Sequence, residues 1–444
     1  MARNINSKYW DEALETMPRK DLEAKQLEDL KEIVKFAYDN APYYKRSFDA
    51  AGVKPEDITT LEDIQKFPFI DKKTQRDTQG VGSFLGELAA VPEEDVVFVS
   101  TSSGSTGVPT MSPFTQKDFD EFQETESRWF WQVGMRPKDR YVHALNFSLY
   151  VGGPDVIGAQ NLGALCIWGG TLPSERLLFI LKTYQPTVIW TSPSYAWQLG
   201  EKALKAGIDP KKDLNIKKII VAGELGGSIE ATRKAIEDLW GAEVYDFYGL
   251  SDIFGACAAM CEAKDGLHIA ENHILVETID PETEEVLEPG QVGELVYTTL
   301  RKHARPLIRF KTGDIGWIDK TPCSCGRTHG RIHVQGRKDD MFIVSAVNVF
   351  PSDIEAVVRE LSGITGEYLV RVFEENFTCR YKVEIEKTAD NTDADEVVAK
   401  KVSDALKARI GVKPAEVVVH PDGGLDTRSE HKSKRIIDER PGKQ

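Results

Sequence analysis

The chain is poor in several things that would commit it to a class. Among 444 residues there are six cysteines, eight histidines and six methionines, and no run of about eighteen apolar residues appears. So little cysteine excludes a disulfide-stapled secreted framework, and the missing apolar run excludes a membrane-spanning helix. Positive charge is also short: 56 lysines and arginines stand against 71 aspartates and glutamates, a net charge of −15. Such a field repels nucleic acid and anionic membrane, so neither is expected as a partner, and a polyanionic ligand must be met by local cations. Residues Met1 to Trp10 carry no apolar stretch of the signal-peptide kind, which places the chain in the cytoplasm as an expectation. What remains is a globular balance, 41% hydrophobic and 29% charged, in a length that calls for a large domain plus a smaller one.

One loop stands out. Ser100-Thr101-Ser102-Ser103-Gly104-Ser105-Thr106-Gly107-Val108-Pro109-Thr110 follows the strand-like run Val96-Val97-Phe98-Val99. Gly104 and Gly107 allow backbone conformations in which successive N–H groups converge on an anion, and Ser102, Ser103, Ser105 and Thr106 add hydroxyl donors. The Gly-Lys-Ser/Thr ending of a Walker loop is missing, so the common NTPase architecture is excluded and another nucleotide chemistry is implied.

Leu27, Leu30, Val34 and Ala37 recur at helical spacing, predicting an amphipathic helix over residues 21–38. From Tyr141 onward strand-like runs such as Val188-Ile189-Trp190 and Ile219-Ile220-Val221 alternate with helical stretches over 194–206 and 229–240, the pattern of a parallel sheet flanked by helices. Between His268 and Tyr297 short strands around the turn Asp280-Pro281-Glu282-Thr283 predict antiparallel structure. After Gly336 a compact α+β unit is expected, with helices over 351–361 and 394–410. The fold class is therefore α/β: a large domain over 1–336 with parallel sheets and an antiparallel β subdomain, then a small domain over 337–444. Residues 427–444 hold six basic groups against three acidic ones, the reverse of the whole chain.

Distant segments also agree with one another. The loop, Val221-Ala222-Gly223-Glu224-Leu225-Gly226-Gly227, Tyr245-Asp246-Phe247-Tyr248-Gly249-Leu250-Ser251-Asp252, Arg309-Phe310-Lys311-Thr312-Gly313-Asp314 and Gly336-Arg337-Lys338-Asp339-Asp340-Met341 occur in an order that resembles adenylate-forming acyl-CoA ligases. Asn348-Val349-Phe350-Pro351-Ser352-Asp353-Ile354-Glu355 and Arg428-Ser429-Glu430-His431-Lys432 narrow the resemblance to the phenylacetate-CoA ligase branch. The resemblance implies an N-terminal AMP-binding domain and a mobile C-terminal domain that turns about Asp339. It also implies a nucleotide site made of the loop, Glu224 beside the base, Tyr248 and Gly249 against adenine, and Asp314 and Arg337 at ribose and phosphate. A flat phenol suits an adenine face, and a carboxylate can accept from both ribose hydroxyls. Lys432 is the expected catalytic cation, with Lys434 and Arg435 as alternatives, because a carboxylate attacking a phosphate is an anion approaching an anion. Two positions depart from the family: Val108 stands where a lysine is frequent, and Asp252 where a glutamate usually organises Mg²⁺. The acyl pocket is expected from residues 143–153, including Phe147 and Tyr150, and from Leu225 and Gly226.

Cys261, His268, Cys323 and Cys325 offer three thiols and one imidazole, enough to close a tetrahedral structural zinc site, with Cys257 and His329 as replacements. Such a site has no open position and hence no catalytic task. The expected function is an ATP-dependent, AMP-forming acid:CoA ligase acting on an aromatic or arylacetic acid, using ATP, Mg²⁺, CoA and a structural Zn²⁺; a homodimer stays an open assembly. Two rivals are carried alongside it, an AMP-transferring synthetase acting on a deazaflavin coenzyme and a zinc-stabilised scaffold without turnover.

Overall fold

The computed structural model describes residues 4–102, 109–145, 152–170, 172–344, 347–375, 378–425 and 435–440. The loop residues Ser103, Gly104, Ser105, Thr106, Gly107 and Val108, the pocket residues Phe147 and Tyr150, and Lys432 with its neighbours Arg428 to Lys434 lie outside them.

The predicted alternation yields five parallel strands, in spatial order Leu165–Trp168, Arg140–His143, Val188–Thr191, Lys218–Val221 and Glu243–Leu250. The middle strand Val188–Thr191 is buried at every residue, the signature of a sheet covered on both faces. The antiparallel strands are not a separate layer. Gly255–Met260 pairs antiparallel with Glu243–Leu250, and Leu267–Ile269, Arg331–Arg337, Phe310–Asp319, Gly293–Thr299 and Ile274–Ile279 follow in turn, so one sheet of eleven strands contains both kinds of pairing. Glu243–Leu250 is the strand where the pairing changes sense, and it carries the Tyr248 motif.

Helix Gln116–Gln132 lies against this sheet. Thr115 caps it in a reciprocal capping box with Asp118, and its second half, from Thr125 to Gln132, is wholly buried. Trp129, Phe130 and Trp131 belong to the main core with Tyr141, Trp190 and Phe247. Each such aromatic, once buried, contributes about 2–3 kcal/mol of transfer free energy, which holds the helix in place despite the polar residues it also buries. The predicted first helix is longer than its periodicity indicated, Arg19–Asn40, and ends where Pro42 begins the next.

The C-terminal unit packs helices Pro351–Glu360 and Asp395–Ile410 on a four-stranded sheet of Glu416–His420, Thr378–Lys387, Ile364–Glu375 and Ile436–Asp438, with its own apolar core of Tyr368, Val370, Tyr381, Val383 and Leu406. It meets the large sheet's helices through polar contacts: Thr232 Oγ1 donates to Glu355 Oε1 at 2.8 Å, and the Arg359 guanidinium sits 5.3 Å from the Trp197 ring. Among the described residues no helix is long and apolar enough to cross a membrane.

Candidate active site and cysteine–histidine cluster

In an open parallel sheet the ligand crevice lies beyond the carboxyl ends of the strands, where the chain leaves in opposite directions from adjacent strands. Here the chain goes from Arg140–His143 outward to Leu165–Trp168 and then returns to Val188–Thr191 on the other side. A cavity of about 910 Å³ opens there, bordered by Leu145, Ser192, Glu224, Tyr248, Asp314 and Arg337. Four of the predicted nucleotide-binding residues thus border one cavity although they come from four separate segments.

Tyr248 Oη donates to Asp314 Oδ2 at 2.5 Å, while Arg337 Nη1 donates to Asp314 Oδ1 at 3.0 Å. The carboxylate is held in one plane by a phenol and a guanidinium, each of which also faces the cavity. Burial, then the Asp314 charge, pushes the Tyr248 phenol well above its ordinary value, so it remains a donor at every physiological pH. Asp314 does not sit in a turn after its strand, as its Thr-Gly-Asp sequence predicts; it lies inside Phe310–Asp319, because Gly313, at φ +76°, lets the strand continue past an irregular register. Arg337 closes the neighbouring strand, paired with Asp314 across the ladder. Gly249 has no room for a side chain: a Cβ there would meet Gly255 O at 1.9 Å. Glu224 Oε1 accepts from the Ser194 N–H at 2.9 Å and from its hydroxyl, which ties the glycine-rich turn to the start of helix Pro193–Lys205.

The Ser/Thr/Gly loop lies between the two strands of an antiparallel pair, Val96–Thr101 with Met111–Thr115. Its neck is closed by Ser102 N–H donating to Thr110 O and Thr110 N–H donating to Ser102 Oγ, both at 3.0 Å. Beneath that neck Asp252 is buried and ion-paired with Lys72, with Arg305 3.9 Å away. Burial pushes the Asp252 carboxyl up, but Lys72 and Arg305 outweigh it and hold it below its ordinary value, so it stays charged. Lys302 Nζ donates to the Asp252 and Ile253 carbonyls at 3.0 and 2.5 Å. Sequence reading missed these three cations. Lys72 is the first residue of a helix capped by Asp71, and its Nζ lies 3.3 Å from Thr110 Oγ1. The only signal for it was the Asp71-x-x-Thr74 cap, which fixes a helix start and says nothing about the loop 30 residues on. Arg309, first residue of the Thr-Gly-Asp motif, is structural: its guanidinium pairs with Glu277 at 2.9 Å.

At the far side of the large sheet Cys261, His268, Cys323 and Cys325 converge, all buried, with one ligand atom from each within 4.8 Å of the others. Strand pairing does this: Cys261 follows Met260, His268 is in the next strand, and Arg331, just after the Cys323–Cys325 turn, pairs with His268. A tetrahedral zinc with Zn–S of about 2.3 Å spaces its sulfurs about 3.8 Å apart. Cys261 and Cys323 are 3.8 Å apart, and Cys325 Sγ lies 3.2 Å from His268 Nε2. His268 Nδ1 lies 2.9 Å from the His329 carbonyl, the partner that leaves Nε2 as the ligand atom. Backbone N–H groups of Ala263 and Arg327 each donate to a sulfur at 3.4 Å. The donor set therefore fits the ion. His329 does not substitute for a ligand, since its two ring nitrogens lie 2.9 and 3.2 Å from the carbonyls of Ile269 and Leu14, and Cys257 is outside the cluster.

The chain is similar to known proteins. Residues 18–299 match the AMP-binding enzyme family and 346–440 the AMP-binding enzyme C-terminal domain. Phenylacetate-coenzyme A ligase of Thermus thermophilus is 35% identical over 96% of this chain and 98% of its own, and that of Pseudomonas putida 36% identical over 96% of each. Among solved structures, 2-hydroxyisobutyryl-CoA ligase in the postadenylation state with R3-HIB-AMP superposes with a TM-score of 0.93 at 28% identity, covering 99% of this chain and 94% of that one. The same enzyme in the thioesterification state, with 2-HIB-AMP and CoA, covers as much at 29% identity but scores 0.74. On this sequence and structural agreement the chain belongs to the phenylacetate-CoA ligase family of AMP-binding enzymes.

Proposed function

We propose that this protein is an ATP-dependent, AMP-forming acid:CoA ligase whose acid is aromatic or arylacetic. The observation that carries the reading is the single cavity with a clamped carboxylate, Asp314 between Tyr248 and Arg337, at one end and the apolar residues Leu145 and Trp190 at the other. A nucleotide and an acid can meet in it. In the first step a carboxylate oxygen of the acid bonds to the α-phosphorus of ATP and the bond to pyrophosphate breaks, giving an acyl-adenylate. In the second the CoA thiol bonds to the acyl carbon, its proton is lost, and AMP leaves.

Asp314 accepts from the ribose hydroxyls, Arg337 adds a fixed positive charge beside it, and Tyr248 and Gly249 face the base with Glu224. Ser102 and the loop residues Ser103, Gly104, Ser105, Thr106 and Gly107 supply donors to the phosphates. Lys72 provides a cation at the loop's neck, where Val108 provides none. Asp252 would hold Mg²⁺, which neutralises phosphate charge when bound. Lys432 places an ammonium between attacking carboxylate and phosphate, where it acts most strongly in the crowded transition state. We also propose that the large domain ends at Gly336, that the small domain of residues 337–444 rotates about Asp339 to withdraw Lys432 for the second step, and that the cysteine–histidine cluster holds a structural zinc. The better superposition on the postadenylation form supports assigning this conformation to the first half-reaction. No finding favours the deazaflavin-directed transferase or the scaffold without turnover.

The test uses purified full-length protein with ATP, Mg²⁺, CoA and a panel of acids. Acid-dependent exchange of labelled pyrophosphate into ATP and formation of a CoA thioester are expected. Lys432→Ala should slow the exchange by about 10²–10³, as removal of a single transition-state donor does, while preformed acyl-adenylate still becomes thioester. Equal loss of both half-reactions would remove Lys432 from its role, and no exchange with any acid would remove the ligase reading.

A further inference from the structure

The acyl end of the cavity holds a carboxyl that the proposed chemistry does not use. Asp155 is 1% exposed and borders the cavity among Ala144, Leu145, Gly152, Gly255 and Ala256. Its carboxyl makes no hydrogen bond and no ion pair among the described residues, and its Oδ1 is buried without a partner. The oxygens lie beside two glycines: a Cβ built on Gly255 would stand 3.2 Å from Oδ1, and one on Gly152 would stand 3.6 Å from Oδ2. Gly255, at φ +93°, is fixed as glycine by the Phe122 ring, which a Cβ would meet at 2.4 Å.

A second carboxyl backs this one. Glu126 is fully buried; its Oε1 accepts from the Ala256 N–H at 3.0 Å and its Oε2 has no partner. Glu126 lies under Gly158, in the helix that Asp155 begins, so the two carboxyls flank the Gly255–Ala256 segment. Burial pushes both groups well above the usual carboxylate range, and for Glu126 the neighbouring Asp155 charge adds to it. The pair keeps acceptor oxygens without donors, Oδ1 of Asp155 and Oε2 of Glu126. Buried acceptors without donors destabilise a fold, and they persist where a ligand supplies the donor.

We propose that Asp155, backed by Glu126, is a specificity-determining residue that selects an acid whose acyl group carries a hydrogen-bond donor, a hydroxyl or an amine, over the unsubstituted acid. This deepens the ligase reading and rests on it for the placement of the acyl group. It follows that the reaction supplying the substrate is one that leaves such a group on the acid, for instance a hydroxylation or a transformation of a hydroxylated precursor.

The test compares phenylacetate with its three ring-hydroxylated isomers, mandelate and 4-aminophenylacetate, and with the methyl ethers of the ring hydroxyls, which keep the oxygen and lose the donor. Two readouts are taken, calorimetric binding to the full-length protein and acid-dependent pyrophosphate exchange. At least one donor-bearing acid should exceed phenylacetate by about 10- to 100-fold, and a ring hydroxyl should exceed its own methyl ether. Asp155→Leu should bring the ratio within about threefold and Asp155→Asn, which keeps one acceptor oxygen, should leave it intermediate. Both variants should melt at or above the parent temperature, since an unpaired buried carboxyl is removed. Phenylacetate or the ethers performing as well as every donor-bearing acid, or a preference that survives Asp155→Leu, would overturn the proposal. Exchange without preference refutes this inference alone. Preferential binding without exchange refutes the ligase reading alone, and no binding with any acid refutes both.

Discussion

The cysteine–histidine cluster and the nucleotide end of the cavity are built from strands of one sheet, yet they are held in opposite ways. In the cluster four ligand atoms, three sulfurs and an imidazole nitrogen, face one another, all within 4.8 Å. Around Asp314 the charged groups already have protein partners: Asp314 has Tyr248 and Arg337, Glu224 has Ser194, and Asp252, beneath the loop's neck, has Lys72. The first arrangement would gain stability from a bound ion. The second is stable when empty and must exchange an internal contact for a ligand contact, which suits a site that loads and unloads each turnover.

The contrast breaks most sharply at the cluster. The protein as purified should hold one zinc per chain by elemental analysis, and Cys325→Ser should lose it. Zinc in small structural sites is worth about 10–16 kcal/mol; even the part retained by a preformed site should make the loss exceed about 4 kcal/mol, seen as a large fall in melting temperature. Chelator should reproduce that fall in the parent and leave the variant unmoved. A parent that carries no metal and melts unchanged in chelator would make the cluster a set of buried thiols and end the comparison.

A smaller effect is expected under the loop. Lys72→Met removes the nearer of Asp252's two ion-pair partners, leaving Arg305 at 3.9 Å, and takes a cation from the loop's neck. Charged hydrogen bonds of this sort are worth about 1.5–3 kcal/mol, so the KM for ATP in pyrophosphate exchange should rise about 10- to 100-fold with a lesser change in kcat. Lys35→Met, which breaks the exposed pair with Asp39, serves as control and should move neither quantity. An unchanged KM in Lys72→Met would mean that Lys72 only neutralises Asp252.

Much of this was legible in the sequence, and the reason is local. The alternation of strands and helices fixes a parallel sheet wherever hydrophobic period and turn residues agree, as at Val188–Thr191 and helix Pro193–Lys205. The motif residues Glu224, Tyr248, Asp314 and Arg337 were found because each lies in a distinctive short segment. What the sequence did not disclose are the partners brought in by long-range packing. Lys72 is 180 positions from Asp252, and Asp155 reaches the cavity without any pattern of its own. Thr312-Gly313-Asp314 predicts a turn, because Gly313 looks the same in a bulged strand as in a reverse turn; only cross-strand register distinguishes them.

The finest test of the comparison is a residue that belongs to neither pattern. Asp246 borders the cavity and is 6% exposed, but unlike Asp314 it has no ion pair among the described residues; the Ser228 hydroxyl donates to Oδ2 at 2.5 Å, and the backbone N–H groups of Ser228 and Phe247 add to it. Burial raises its carboxyl to about 7, with Ser228 and the more distant Arg233 pulling the other way. In the unfolded chain an aspartate titrates near about 3.9. Folding therefore takes up a proton between those two values: the contribution to stability is whole below about pH 4 and is lost as the pH rises through about 7. At one pKa unit per about 1.4 kcal/mol, the full penalty at pH 8 is of the order of 4 kcal/mol. Asp246→Asn abolishes the titration while keeping an acceptor for Ser228. Its melting temperature relative to the parent should accordingly be higher at pH 8 than at pH 5, whatever its absolute value at either. A difference that stays constant across that range would show the carboxylate to be as well compensated as Asp314, and the cavity would then hold its charges by one rule throughout.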